Sequence, residues 1–227
     1  MLRRFTLSVL LCWLSVNCNA QLVYTSYSAG IEGGATFAFM DAENPITSSA
    51  FGVTLDANVT PYSFFKLEFQ TGKLEGGSET TVRQFTNKYN YIGVTYNQGL
   101  GDLLNFNPNK LHKFYKSIYA GLGLGLIFNN ITDIKAVADS TQGISIYNKN
   151  NEIVFPLNIG YTYHYRTKTG LNPFSATINY QFTLSFSDVL DGYEWNPASH
   201  SKDFYGFVSL GVKYNFGKEQ IYYRLRK

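Results

Sequence analysis

From Phe174 to Phe186 the chain alternates apolar and polar residues without a break. Phe174, Ala176, Ile178, Tyr180, Phe182, Leu184 and Phe186 share one side, and Ser175, Thr177, Asn179, Gln181, Thr183 and Ser185 share the other. Successive side chains of a strand point to opposite faces of a sheet, so a period of two makes this stretch a strand. In a water-soluble sheet its apolar side would face a core; in a membrane barrel that side faces lipid and the polar side lines the interior. At about 3.4 Å per residue the stretch spans roughly 40 Å, and a tilt near 45° brings it close to the height of a bilayer's hydrocarbon core with its interfaces.

Ahead of the patterned region, Arg3 and Arg4 precede an apolar run from Leu7 to Val16 and then Cys18-Asn19-Ala20, a small-residue cleavage pattern. Residues 1–20 therefore read as a secretory signal peptide, with Gln21 opening the mature chain. The apolar run is too short to cross a bilayer as a helix. A lipid anchor on Cys18 is the alternative, for which Asn17 is a poor preceding residue. Both cysteines, Cys12 and Cys18, fall in this leader, so the mature chain has no disulfide, thiolate nucleophile or cysteine metal site. Loss of Arg3 and Arg4 takes Lys+Arg from 19 to 17 against 16 Asp+Glu. The resulting balance of +1 gives no reason to invoke nucleic acid.

Alternation recurs along residues 21–227, which read as one all-β domain of about eight strands. The first runs from about Ser26 to Met40, with Ile31, Gly33, Ala35, Phe37 and Phe39 on its apolar side. A second sets Phe51, Val53, Leu55 and Ala57 against Gly52, Thr54, Asp56 and Asn58, and a third sets Phe65, Leu67 and Phe69 against Lys66, Glu68 and Gln70. For their apolar sides to share a face across the turn at Asn58 to Pro61, paired residue numbers sum to 122, which places Asp56 opposite Lys66 as an ion pair. Lys73 to Phe85 reads as a polar loop, and a fourth strand over about Lys88 to Asn97 carries Ile92, Val94 and Tyr96 outward while Tyr89 and Tyr91 sit on the opposite phase. A helical turn is expected at Asp102 to Phe106.

The fifth strand covers Ile118 to Phe128, with Gly121, Gly123 and Gly125 on one face, as suits the crowded inside of a narrow barrel. Asn129 to Asn151 reads as the longest polar loop, with a helical turn at Asp133 to Ala138. A sixth strand, about Glu152 to Tyr165, carries Pro156, where the missing ladder donor predicts a bulge or local irregularity. After the seventh strand, Ser187 to Lys202 is a loop, and the eighth strand spans Asp203 to Phe216 with Lys213 and Asn215 inward. Long connections then gather at the end away from the termini, and Tyr161, Tyr163, Tyr165, Tyr214 and Phe216 form an aromatic ring at the near end.

In this pattern the chain resembles the small outer-membrane β-barrel family of Gram-negative bacteria, of which the OmpA-type transmembrane domain is the familiar member. The resemblance covers Gln21 to Phe216, and its most telling piece, Phe204 to Phe216, is similar to the terminal signal read by the barrel-insertion machinery. It implies a closed antiparallel up-and-down transmembrane β-barrel in the outer membrane, with both termini periplasmic and residues 218–227 a basic periplasmic tail. That tail departs from the family's terminal Phe, and no peptidoglycan-binding domain follows the barrel, so a cell-wall tether is not implied.

An eight-stranded barrel is just wide enough for side chains to fill, so no conducting pore is expected. Inward Glu32, Asp56, Lys66, Glu68 and Lys213 are expected to neutralise one another, because an unpaired buried charge is expensive. No catalytic, cofactor or metal site is expected. Asp188, Asp191, Glu194, Trp195 and His200 form the candidate contact surface of the outer loop. His200 with Ser199, Glu194 and Asp191 offers a lipid-modifying enzyme as the alternative, and Asp188, Asp191, Glu194 and Asp203 offer oxygen ligands for Ca²⁺, though neither set has a diagnostic spacing. A secreted ligand carrier is the remaining alternative. His112, Lys110, Lys113 and Lys116, with the tail's Arg224, Arg226 and Lys227, bunch at the inner side. The expected partners are outer-membrane lipid and lipopolysaccharide, with membrane or periplasmic proteins possible through these surfaces.

Overall fold

The computed structural model describes residues 26–40, 44–77, 83–103, 114–136, 144–146, 148–165, 173–185, 190, 193–195 and 203–217. The expected leader and tail lie outside these residues. Strands β1 (Ser26–Phe39), β2 (Pro45–Asn58), β3 (Phe64–Gly76), β4 (Arg83–Gly99), β5 (Ile118–Ala136), β7 (Lys149–His164), β8 (Phe174–Ser185) and β10 (Phe204–Gly217) follow one another as antiparallel neighbours. The last pairs with the first from Ser26 opposite Gly217 to Phe39 opposite Phe204, which closes the barrel. Two short strands, β6 (Ile144–Ile146) and β9 (Tyr193–Trp195), form a separate pair between the loops beyond one end.

Side-chain burial runs opposite to that of a soluble protein. Leu210 and Leu122 are each 66% exposed on the outer surface, while Lys66 is 2% and Glu68 0% exposed inside. Phe182 faces outward beside Phe204, and Asn179 and Lys213 are buried in the lumen. A soluble ligand carrier would bury the first set and expose the second, so that alternative fails. Outward aromatic rings mark both ends of the apolar band: Tyr27, Phe174, Tyr214 and Phe216 pack together near the termini, and Phe39, Phe182 and Phe204 do so at the far end. Rings of this kind sit at headgroup level.

The β2–β3 register is the expected one, with Asn58 opposite Phe64 and Asp56 opposite Lys66. Several expected loops are instead strand. β3 continues to Gly76 and β4 begins at Arg83, so only the middle of the Lys73–Phe85 stretch separates them. β5 runs on to Ala136, through the residues expected to form a loop and a helical turn, and β7 already begins at Lys149. A helical turn does follow β4, but at Leu100–Leu103. Pro156 produces no shift of register on either side: Leu122 opposite Leu157 and Gly125 opposite Val154 keep the same register, and only the pairings between them are missing. The lost donor is accommodated by a gap in the ladder, which is the local irregularity expected there and not a bulge.

The extended strands have a physical signature that hides them from a search for alternation of constant phase. Along β3 the outward residues change from Phe65, Leu67 and Phe69 to Thr71, Lys73 and Glu75, while the inward ones change from Lys66, Glu68 and Gln70 to Leu74. On β5 the outward Leu122, Leu124, Leu126 and Phe128 give way to Asn130 and Thr132, and Ile127 and Ile131 point in. The period of two survives but its polarity inverts. That inversion is expected where a barrel leaves lipid for water, since the outer face must then be wet and the inner face can be apolar. The 19 residues of β5 make a strand of roughly 65 Å, and with a tilt near 45° it rises about 45 Å, well beyond a hydrocarbon core of about 30 Å.

Placing Arg at Leu210, midway along β10, should therefore destabilise the folded barrel by about 2–4 kcal/mol, whereas Arg at Asn130, above the apolar band, should cost under about 1 kcal/mol. Equilibrium refolding into lipid vesicles over a denaturant series measures both. Equal costs at the two positions would place the boundary of the bilayer wrongly.

Candidate functional site

The lumen is the place where the strands bring unusual chemistry together, and glycines make room for it. Lys213 on β10 points inward beside its register partner Gly30 on β1, whose other partner is Thr54 on β2. A Cβ at Gly30 would meet the Lys213 stem and lie 2.8 Å from the Val212 carbonyl. Lys213 thus crosses Gly30 and donates from Nζ to Asp56 Oδ2 on β2 at 2.5 Å. Ser28 donates to the same oxygen at 3.0 Å, and the Lys213 ammonium stands 5.1 Å from the centre of the Phe64 ring.

The second group repeats the device one strand over. Glu32 on β1 lies across Gly52 of β2, and Lys66 on β3 reaches it at 3.6 Å while holding Glu68 at 2.8 Å. Ser209 on β10 donates to Glu32 from the other side at 3.2 Å. All five expected interior charges are therefore buried in one lumen. Asp56 and Lys66 do not form the expected pair even though they are register partners; Asp56 takes Lys213, and Lys66 takes Glu68 and Glu32. Facing positions fix backbone neighbours only, and a long ammonium stem reaches diagonally to the carboxylates around it.

Polar residues continue this layer around the barrel. Tyr119 donates to Asn179 at 3.1 Å, and Asn179 donates to Asn158 at 3.2 Å. Gly160 lies beneath the Tyr119 ring, and Gly93 and Gly125, which are register partners, lie beneath Tyr91. On the inner face of β5, Gly125 is a seat for the Tyr91 ring, while Gly121 and Gly123 lie against Asn97, Thr95 and the carbonyls of β4.

Above the charged layer the lumen turns apolar, which alternation alone did not reveal. Leu74, Phe85, Tyr89, Tyr91, Ile127, Ile131, Val154, Tyr205 and Phe207 pack there with Leu190, which is fully buried although it comes from the connection between β8 and β10. Asn87 donates to the Leu190 carbonyl at 2.9 Å and to Asn129 at 2.9 Å, while Asp203 accepts from the Leu190 amide at 2.9 Å. Leu190 is thereby held in the mouth as a stopper. The available signal was the inverted phase of Tyr89 and Tyr91; nothing local marks Leu190 itself.

Of the expected loop residues, Glu194 and Trp195 lie on β9, opposite Ser145 and Ile144 of β6. Asp188, Asp191 and His200 lie outside the described residues, as do Ser199, Lys110, His112 and Lys113. Asp203 is buried and holds the Leu190 amide. Among the described residues no three histidine, cysteine or carboxylate side chains gather as metal ligands. His164 lines a cavity of about 30 Å³ at the terminal end of the lumen, together with Asp56, Tyr119 and Lys213. At the same end Asp102 accepts from Thr60 and Ser63 and ties the β2–β3 turn to the end of β4.

A closed antiparallel barrel with lipid-facing apolar residues, two aromatic rings and a filled polar lumen is an eight-stranded membrane-spanning β-barrel. No protein-family model matches the chain, and no curated protein sequence does. Among solved structures it is similar to Neisserial surface protein A, at 12% identity over 84% of this chain and 97% of that one, with a TM-score of 0.49. It is also similar to Ail, the attachment invasion locus protein of Yersinia pestis, at 13% identity over 86% of this chain and 100% of that one, with a TM-score of 0.44. The N-terminal β-barrel domain of OprF from Pseudomonas aeruginosa matches at 14% identity over 83% of this chain and 97% of that one, with a TM-score of 0.36. Likeness at this level says nothing of activity.

Replacing Lys66 by Ala leaves the buried Glu32 and Glu68 facing each other without a cation, and should cost about 3–5 kcal/mol. Adding Glu68→Gln to that variant should return part of the loss. A double-mutant cycle on unfolding free energy measures the coupling, and strictly additive effects would contradict the arrangement.

Proposed function

We propose that this chain is a non-enzymatic outer-membrane barrel, sealed to solutes, that holds its projecting strands as a rigid surface for contact with other molecules. The observation that carries this reading is the double closure of the lumen: buried ion pairs fill its lower part, and the Leu190 stopper with its apolar surroundings fills the upper part. Such a barrel transports nothing through its axis. What it offers is its outside and its far end.

The leader pattern and the barrel itself support the outer membrane as its location, and the gathering of extended strands at one end supports periplasmic termini with that end outward. There β4 and β5 leave the apolar band as paired strand, and β6 and β9 add a second small sheet whose strands carry Glu194 and Trp195. Ordered backbone outside the membrane binds with little loss of conformational entropy, which favours a contact role over that of a solvated tether. Lipopolysaccharide and surface molecules are the partners within reach of that end, and periplasmic or membrane proteins are those within reach of the other.

Purified barrel in planar bilayers should show no stepwise conductance. A photo-crosslinking residue at Ser145 on β6 should capture a macromolecule on intact cells, while one at Thr162, at the opposite end, should not give the same product. Steady ion channels in the first experiment, or identical products from both positions in the second, would remove the proposal.

A further inference from the structure

At the terminal end a groove of about 510 Å³ opens from the lumen mouth onto the lipid-facing surface. Its outer wall is aromatic: Phe114 stacks on Tyr161 at 4.7 Å between ring centres, and Tyr163 and Tyr165 follow along the end of β7. Its polar side carries Lys116 and His164. None of the described lining residues bears a carboxylate. The walls are held by the backbone, since Ser117 donates to the Phe114 carbonyl at 3.2 Å, Thr162 donates to the Ser117 carbonyl at 3.1 Å, and Tyr165 donates to the Phe174 carbonyl at 3.2 Å.

We infer that this groove seats the headgroup of one anionic glycerophospholipid of the leaflet at this end. The groove is continuous with the barrel's lipid surface, because Tyr161 and Tyr163 extend the outward row of Leu157 and Ile159 on the same strand. An acyl chain lying on that row brings its glycerol and phosphate to the level of the tyrosines, where aromatic rings settle at a membrane interface. The phosphate then meets Lys116 with no carboxylate among the described lining residues opposing it, and the tyrosine hydroxyls can donate to phosphate or ester oxygens. The volume lies within the range of sites that take a small ligand, while its open side faces the membrane surface. An aromatic ring alone would greet any lipid; the lysine and the absence of carboxylates among the described lining residues select a net negative headgroup.

The inference rests on the membrane-barrel reading with this rim toward phospholipid. That reading is tested separately, by heat-modifiable migration of the same preparations and by protease access to each end. The full-length protein is refolded in detergent and titrated with short-chain phosphatidylglycerol, with native mass spectrometry counting adducts. A single saturable adduct is expected, with phosphatidylcholine binding distinctly more weakly. Lys116→Ala should weaken the phosphatidylglycerol adduct about fivefold, Tyr163→Ala should weaken binding of both lipids, and Lys88→Ala, exposed near the opposite end of β4, should change neither. All variants should keep the wild-type shift on heating. Equal retention of the two lipids by the wild type, or an adduct unchanged in the Lys116→Ala, Tyr163→Ala double variant, would overturn the assignment. So would preference for lipopolysaccharide over phosphatidylglycerol.

Discussion

A bilayer's hydrocarbon core offers no hydrogen-bonding partner to a peptide group, so each N–H and C=O that enters it must find a partner within the protein. In this chain the obligation is met by the ladder between β1 and β10, the pairing of greatest sequence separation, without which two strand edges would lie bare in lipid. The rest of the architecture follows from that closure. Once the sheet is a tube, one face of each strand has only lipid to meet and the other has only the lumen, and the period-two pattern becomes a division between hydrocarbon and interior.

The same logic explains why the interior is not uniform. Within the apolar band the inner face is the only place a polar residue can go, so Glu32, Asp56, Lys66, Glu68 and Lys213 collect there and must be neutralised there. Beyond the band the outer face is wet, and the hydrophobic effect again drives apolar residues inward. Leu74, Phe85, Ile131 and Phe207 form a small soluble-type core stacked on a membrane-type lumen. The level at which polarity inverts along β3, β4 and β5 sets how deep the barrel sits, and Leu190 closes the top because apolar surface in that upper chamber would otherwise face water.

Much of this was legible from residues alone because it depends on local pattern. Strand faces, the β2–β3 register, the inward glycines and the inward charges are all consequences of alternation and a short turn. The strand extensions were illegible for a definite reason: a reading that expects one phase takes Lys73–Phe85 and Asn129–Asn151 for loops at the point where the phase reverses. The pairing of Asp56 with Lys213, 157 residues away, was illegible for another. It depends on which strands become neighbours when the tube closes, and on what lies between them. Leu190 is harder still, since its burial goes with hydrogen bonds to Asn87 and Asp203, both well separated from it along the chain, and with no periodicity.

The ion pairs and the closure are coupled through glycine. Lys213 on β10 passes over Gly30 of β1 to Asp56 on β2, and Lys66 on β3 meets Glu32, which lies over Gly52 of β2. Each pair therefore links strands that are second neighbours and presses the strand between them into the wall. Together they span β10, β1, β2 and β3, the seam where the end of the chain meets its beginning. Desolvation cancels much of the Coulomb gain of a buried pair, so their net contribution to stability is small. Their larger effect is on specificity: a seam closed one register step away would move Lys213 off Gly30 and toward a side chain that blocks its path, leaving two buried charges apart at a cost of several kcal/mol. Charge placement and glycine placement thus jointly select one closure among the registers that backbone pairing alone would accept.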